Sequence, residues 1–303
     1  MSNILGNQNQ VLELSKIIKN KSINHAYLFC GESGIGKFLY AKEFAKSILC
    51  YSPTDTYCGQ CEACIKFNNS PDFVVVEPEE GIIKVDAIRT LSENIMLKPT
   101  LSTKRCFIIR DADLMNDSAQ NALLKILEEP PEYAVIILTA QNKNKVIGTI
   151  RSRCTIMDFK PLTDDELKTI FNTKDVSDEL LFYSNGSAGR LEALLSKDYI
   201  NLVLKFEKAL NIADLIEMNS AFSDIKKIKT IKEDIDDILD LLIIKLGKSI
   251  DEDSLKKAKQ IEIIENTRNN LLRNANFDTS LDYMVVQLWE INKRWEHAGN
   301  NWG

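Results

Sequence analysis

Gly31-Glu32-Ser33-Gly34-Ile35-Gly36-Lys37-Phe38 is a phosphate loop one residue short of complete. The nucleotide-binding pattern is G-x-x-x-x-G-K followed by Ser or Thr, whose hydroxyl sits on Mg²⁺. Every position fits until Phe38, which has no oxygen to offer. Backbone N–H groups of the loop and the Lys37 ammonium can still cradle phosphate. Ala26–Cys30, just upstream, is a short apolar run of strand type, and residues 38–49 carry apolar residues at helical spacing. Strand, glycine loop and helix in succession separate a phosphate loop from a chance Gly-rich turn. The chain reads as the descendant of an NTPase with an altered metal site.

Further apolar runs follow at Phe73–Glu77, Cys106–Ile109 and Ala134–Thr139, with helical stretches between them at 84–96 and 117–128. This alternation predicts an α/β domain, a parallel sheet with helices on both faces. After Phe159-Lys160-Pro161 no strand is expected. Thr163-Asp164-Asp165-Glu166 is a capping box that opens a helix. Ile231, Ile235, Ile238 and Leu242 form one apolar helix face, as do Leu281, Met284, Val285, Leu288 and Trp289. Residues 199–303 therefore read as an all-α bundle.

A hydrolysing site needs a second acidic element, an Asp-Glu pair at a strand end that supports the metal and polarises water. Here Arg110-Asp111 follows the run Cys106–Ile109. Arg110 stands in the metal-supporting place, and a guanidinium repels Mg²⁺. Asp111 stands in the place of the water-activating Glu. Asp113, through a register shift, is an alternative metal ligand that would restore only half of the defect.

Cys58-x-x-Cys61-x-x-Cys64 is preceded by Cys50, which puts four of the seven cysteines within 15 residues. Four thiolates so spaced, with Gly59 at a turn, can close a tetrahedron around a structural Zn²⁺. A redox pair and an iron–sulfur cluster are the alternatives, although the fourth Cys lies upstream and no C-P follows. Cys30 and Cys106 lie in apolar runs and read as core.

A net charge of −6 argues against a freestanding nucleic-acid binder, which normally carries a basic excess. MSNILGNQNQ at the N-terminus has no basic region followed by an apolar core, so no signal peptide is expected. The longest apolar runs are too short to span a bilayer, so no membrane association and a cytoplasmic location are expected. His25 and His297 are the sole histidines and supply no acid–base machinery. Trp289 reads as core, and Trp295 and Trp302 say nothing about a ligand. Glu128-Glu129 reads as a helix end, and Lys125 as a solvated lysine.

The order of motifs resembles the clamp-loader branch of the AAA+ superfamily. Four pieces carry the likeness: His25-Ala26-Tyr27-Leu28-Phe29 running into the loop, the four-cysteine insertion, Asn121 to Pro131 (NALLKILEEPP), and Thr149-Ile150-Arg151-Ser152-Arg153-Cys154. They cover the first 160 residues or so. The resemblance implies an AAA+ P-loop domain with a zinc module over 1–160, a helical lid over 161–198 and a helical collar over 199–303. It implies that Arg153, flanked by Ser152 and Cys154 after a fifth strand-like region, reaches a neighbouring subunit's ATP site. Thr139 matches the first sensor position and Arg190, in Gly186-Ser187-Ala188-Gly189-Arg190, the second.

The partners so implied are other loader subunits of gamma/tau and delta types, with the sliding clamp and primed DNA reached through the complex. The cofactors are structural Zn²⁺ and weakly held ATP or ADP. The chain would be a component of a DNA polymerase holoenzyme with no ATPase activity of its own. Two other readings compete. One is an active ATPase subunit of gamma/tau type, against which Phe38 and Arg110 count. The other is a stand-alone zinc-containing nucleotide kinase or DNA-binding protein, against which the acidic charge and Ser152-Arg153-Cys154 count.

Overall fold

The computed structural model of the chain describes residues 4–172, 176–196, 199–228, 230–248, 254–273 and 275–299. Residues 197–198 beside the expected lid–collar boundary, Trp302 and the side chain of His297 lie outside the described residues. The chain divides into two compact units. One runs to Ser177 and includes Ser184–Arg190; the other comprises Asp178–Tyr183 and the chain from Leu191 onward.

In the first unit, β1 (Ala26–Cys30), β2 (Phe73–Val76), β3 (Arg105–Ile109), β4 (Ala134–Ala140) and β5 (Thr155–Asp158) form one sheet in the order β2-β3-β4-β1-β5. All neighbours pair in parallel. The four runs predicted as strands lie within one residue of β1 to β4 at either end. The expectation that Ser152-Arg153-Cys154 follows a fifth strand is corrected, because β5 comes directly after that motif. As an edge strand, β5 alternates exposed Ile156 with buried Met157 and has no continuous apolar run to announce it.

The strands β1, β3 and β4 are buried along their whole lengths because helices cover both faces. Alternation sends Tyr27 and Phe29 to one layer and Ala26, Leu28 and Cys30 to the other. On the first layer pack α1 (Gln8–Lys19), through Leu14 and Ile18, and α2 (Lys37–Leu49), through Phe44 and Ile48. A short α3 (Glu62–Ile65) lies in the cysteine segment. On the second layer pack α4 (Val85–Ile95), through Ile88 and Leu91, and α5 (Asp117–Glu128), through Leu123 and Leu127. The helix α6 (Gly148–Arg151) precedes β5, and α7 (Asp164–Phe171) opens on the predicted capping box. There the Thr163 hydroxyl accepts from Glu166 N at 3.3 Å, and Thr163 N donates to Glu166 Oε2 at 2.8 Å.

All regular secondary structure among the second unit's described residues is helical. That unit takes α8 (Asp178–Ser184) up to residue 183, α9 (Ala188–Ser196) from residue 191, α10 (Tyr199–Leu210), α11 (Leu215–Lys226), α12 (Ile231–Lys248), α13 (Ser254–Leu272) and α14 (Phe277–Gly299). Ile231, Ile235, Ile238 and Leu242 of α12 are buried together with Leu281, Met284, Val285 and Leu288 of α14. Trp289 packs on the same core and donates its indole N–H to Ala213 O at 2.9 Å. No described helix is long and apolar enough to cross a membrane.

A buried charged knot closes the far side of the sheet. Asp72, fully buried, accepts the backbone N–H groups of Thr100 (2.8 Å), Leu101 (2.7 Å) and Ser102 (2.8 Å). Arg105, at the start of β3, is also buried and donates to the carbonyls of Pro71 (2.7 Å) and Leu97 (3.1 Å). The Arg105 Nε lies 3.9 Å from Asp72 Oδ1. Ser102 Oγ in turn donates to Leu49 O, at the end of α2, at 2.8 Å. Removing the carboxylate leaves three backbone donors and the buried Arg105 cation without this partner. Asp72→Ala should therefore destabilise the first unit by about 3–5 kcal/mol, read as a fall in the denaturant midpoint. An unfolding curve unchanged from wild type would show that the knot contributes nothing.

Candidate phosphate-loop site and cysteine cluster

The loop begins where β1 ends. Gly31 N donates to Ala140 O at 3.2 Å, so the pairing of β1 with β4 carries straight into the loop. A side chain at Gly34 would stand 2.2 Å from Ser187 Oγ, and its φ of +72° lies in the left-handed region. Glycine is required there because the segment Ser184–Arg190 lies against the loop. Gly189 N donates to Gly34 O at 3.0 Å, and Asn185 Nδ2 reaches Glu32 Oε2 at 3.4 Å. Ile35 is buried in the core beneath the loop, and Ser33 is exposed.

Gly36 caps α2 with a left-handed φ of 95° and no side-chain hydrogen bond. The first N–H groups of α2 are thus left to the loop and to an anion. Lys37 is buried, and its ammonium donates to Gly31 O at 2.7 Å and Glu32 O at 2.6 Å. Burial holds its pKa below the ordinary lysine range, opposed by the nearby carboxylates of Asp111 and Asp113.

The two departures from the nucleotide-binding pattern meet. The Arg110 guanidinium lies over the Phe38 ring, 5.3 Å from its centroid. It also pairs with Glu77 Oε1 at 3.0 Å and approaches Asp111 Oδ2 at 3.6 Å. Asp111 sits in the left-handed region at φ 50°, and its N–H donates to Thr139 Oγ1 at 3.0 Å. Burial raises its carboxyl above the usual range, opposed by Arg110 and Lys37. Thr139 is buried, with its hydroxyl engaged by that amide. Both Asp113 oxygens accept backbone amides, from Gln141 and Asn142 at 3.1 Å each, so this carboxylate closes a loop instead of facing a metal. Arg190 Nη1 donates to Ser184 O at 2.9 Å within the segment that covers Gly34.

The fold brings residues 31–38, Arg110, Asp111, Thr139 and the 184–190 segment around the C-terminal ends of β1, β3 and β4. Arg153 is held apart from them. Its Nη1 donates to Thr149 O and its Nη2 to Glu128 Oε1, each at 2.9 Å. Its side chain is 34% exposed. Glu128 ends α5, as the sequence predicts, yet its partnership with Arg153 is not legible there. Glu77 was equally missed as the partner of Arg110. The parallel pairing of Val76 with Ile109 puts the next residue of each strand side by side, and that pairing is the signal that could have found it.

The four cysteines converge as their spacing predicts. Cys58 and Cys64 Sγ lie 3.9 Å apart, as do Cys61 and Cys50 Sγ, and all four sulfurs lie within 4.8 Å of one another. Thiolates around Zn²⁺ at about 2.3 Å have S···S edges of about 3.8 Å, so the set fits a tetrahedral ion. Backbone N–H groups of Gln60 and Cys61 push the exposed Cys58 thiol down to about 6, while burial pushes Cys64 up to about 12. Cys58 thus offers a thiolate at neutral pH. Gly59 makes the turn with φ 74°. Cys30 and Cys106 are buried core residues.

Residues 6–163 match the family described as "DNA polymerase III, delta subunit". The chain belongs to that family. The delta' subunit of DNA polymerase III from Bacillus subtilis (strain 168) is 35% identical over 162 residues, covering 53% of this chain and 49% of that protein. The delta' subunit from Pseudomonas aeruginosa is 38% identical over 135 residues, 43% of this chain and 41% of its own length. The B. subtilis tau subunit is 36% identical over 186 residues, 61% of this chain and 33% of the relative. The matched part of the chain thus spans less than half of each of these relatives. The crystal structure of a DNA polymerase III gamma subunit-related protein from Thermotoga maritima superposes with a TM-score of 0.54 at 20% identity, covering 93% of this chain and 99% of that one. The first unit is an α/β domain with a parallel sheet, a phosphate loop after its first strand and a four-cysteine insertion, and the second unit is built of helices. Within the family match lie the loop, the cysteines, Arg110 and Arg153; Arg190 lies beyond it.

Proposed function

We propose that the chain is a delta-prime-type subunit of the bacterial DNA polymerase III clamp loader. It assists ATP-dependent loading of the sliding clamp onto primed DNA and hydrolyses no ATP itself. In this reading residues 1–160 are the P-loop domain, 161–198 the lid and 199–303 the collar that meets gamma/tau and delta-type subunits in a cytoplasmic complex. The observation that carries it is the contact between Phe38 and Arg110 at 5.3 Å. Family membership by itself leaves a hydrolysing gamma/tau-type role open, since tau and delta' relatives match over similar stretches. A ring carbon and a guanidinium where a hydroxyl and a carboxylate should hold Mg²⁺ favour the non-hydrolysing role. Zinc, held by Cys50, Cys58, Cys61 and Cys64, is structural here: it ties the end of α2 to the segment leading into β2.

The purified chain should contain close to one equivalent of zinc, lost on replacing any two of the four cysteines with Ser. Absence of zinc with four titratable thiols would refute the assignment.

The isolated chain should show no Mg²⁺-dependent ATP turnover above background. Turnover abolished by Lys37→Ala would place the protein among the hydrolysing subunits instead.

In this role Arg153 serves a neighbour's ATP site, where a planar cation stabilises charge on the transferring phosphoryl group. The Glu128 pair is exposed and therefore weak, so the finger leaves it at little cost. An essential arginine finger is worth about 10³–10⁵ in rate; one finger among several sites in a ring accounts for less. Arg153→Ala should leave folding, zinc content and assembly intact while lowering DNA-stimulated ATP hydrolysis and clamp loading by the complex. Arg153→Lys should rescue poorly. Loading at the normal rate by the Ala variant would reduce Arg153 to an ion-pair residue.

A further inference from the structure

Each residue that spoils the metal site has an ordinary loss of function as its simplest account. Their contact adds something. The Arg110 guanidinium rests over the Phe38 ring at 5.3 Å and is tied to Glu77 at 3.0 Å. A cation is thus held on the first turn of α2, beside the loop, where the family pattern places a divalent metal. We infer that Arg110, seated on Phe38, replaces Mg²⁺ as the counter-cation of this loop, which takes the terminal phosphates of a nucleoside di- or triphosphate in metal-free form. The inference deepens the reading of the chain as a non-hydrolysing P-loop subunit and rests on it.

Three features support a loop able to take an anion. Lys37 is buried with its ammonium fixed by two loop carbonyls, Gly31 O and Glu32 O. An ammonium has three donors, so one is left for phosphate. The N-terminus of α2 has no side-chain cap, so its N–H groups are open to the same oxygens. Finally, Glu77 and Arg110 are 54% and 46% exposed, so their pair is easily exchanged for a phosphate. A guanidinium binds phosphate oxygens through a planar fork and needs no metal between them. The ring beneath it holds the fork in place by cation–π attraction. A fixed cation there repels a second one, so Mg²⁺ and the phosphates compete instead of cooperating.

The test is calorimetric titration of the full-length chain with ADP, and separately with pyrophosphate. It is run in magnesium-free buffer without chelator, so that the cysteine cluster keeps its metal, and again with excess Mg²⁺. Wild type should bind ADP without Mg²⁺ at least as tightly as with it. Pyrophosphate should bind too, since the phosphates carry the recognition. Arg110→Ala should weaken both ligands about tenfold or more, the worth of a charge-assisted hydrogen-bond pair. Arg110→Asp, which restores an acidic metal support, should bind ADP only with Mg²⁺. Melting temperature and zinc content check that both variants fold. The inference is overturned if Mg²⁺ raises wild-type affinity, if Arg110→Ala binds as wild type does, if Arg110→Asp remains indifferent to Mg²⁺, or if millimolar ADP does not bind. None of these outcomes touches the absence of turnover, which is measured separately.

Discussion

The position of β1 in the middle of the sheet is the constraint on which the site depends. It pairs with β4 on one side and β5 on the other, and its residues are buried on both faces. A central strand cannot tilt or slip without unpairing two neighbours and turning its side chains toward the wrong layer. Its C-terminal end is therefore a fixed point, and the loop at Gly31 starts from that point. The ends of β3 and β4, in register with it, carry Arg110, Asp111 and Thr139 to the same edge. In open parallel sheets ligand sites lie outside the carboxyl ends of the strands.

At that edge the Lys37 ammonium, the loop glycines and the uncapped start of α2 stand beside an aromatic ring and a guanidinium, Phe38 and Arg110, that lie against each other. Polar side chains nearby make structural hydrogen bonds. Asp113 closes a loop on Gln141 and Asn142, and the Thr139 hydroxyl receives the Asp111 amide. Side chains that take part in such bonds stabilise the edge.

Away from the site, two polar clusters hold long connections in place. The cysteine cluster folds the segment after α2 onto itself, and the Asp72–Arg105 knot binds the loop that leads into β3. Ser102 links the two regions through Leu49 O, one residue before Cys50. A buried carboxylate satisfied by three amides tolerates its burial because each hydrogen bond replaces one lost to water.

The sequence by itself determined the local parts of this protein. Continuous apolar runs located β1, β3 and β4 because strands buried on both faces need apolar residues throughout, and the half-buried edge strand β2 because Phe73 to Val76 are all apolar. Helical periodicity located α5 and the apolar faces of α12 and α14. Cysteine spacing foretold a four-sulfur cluster because two ligands three residues apart share one turn. Single positions, Phe38 and Arg110, stood out in the sequence because a motif states which atoms must be present. What the tertiary structure alone decided is which residues meet. The edge strand β5 and the helix α1 escaped notice. The first has only two apolar residues, Ile156 and Met157, among its four. The second shows its core face in just Val11, Leu14 and Ile18. The pairing of Arg110 with Phe38 and Glu77, of Arg153 with Glu128, and of Gly34 with Gly189 joins residues 25 to 155 positions apart. Such contacts follow from strand order and register, which no local pattern encodes, because the chain reaches them only after the sheet has assembled.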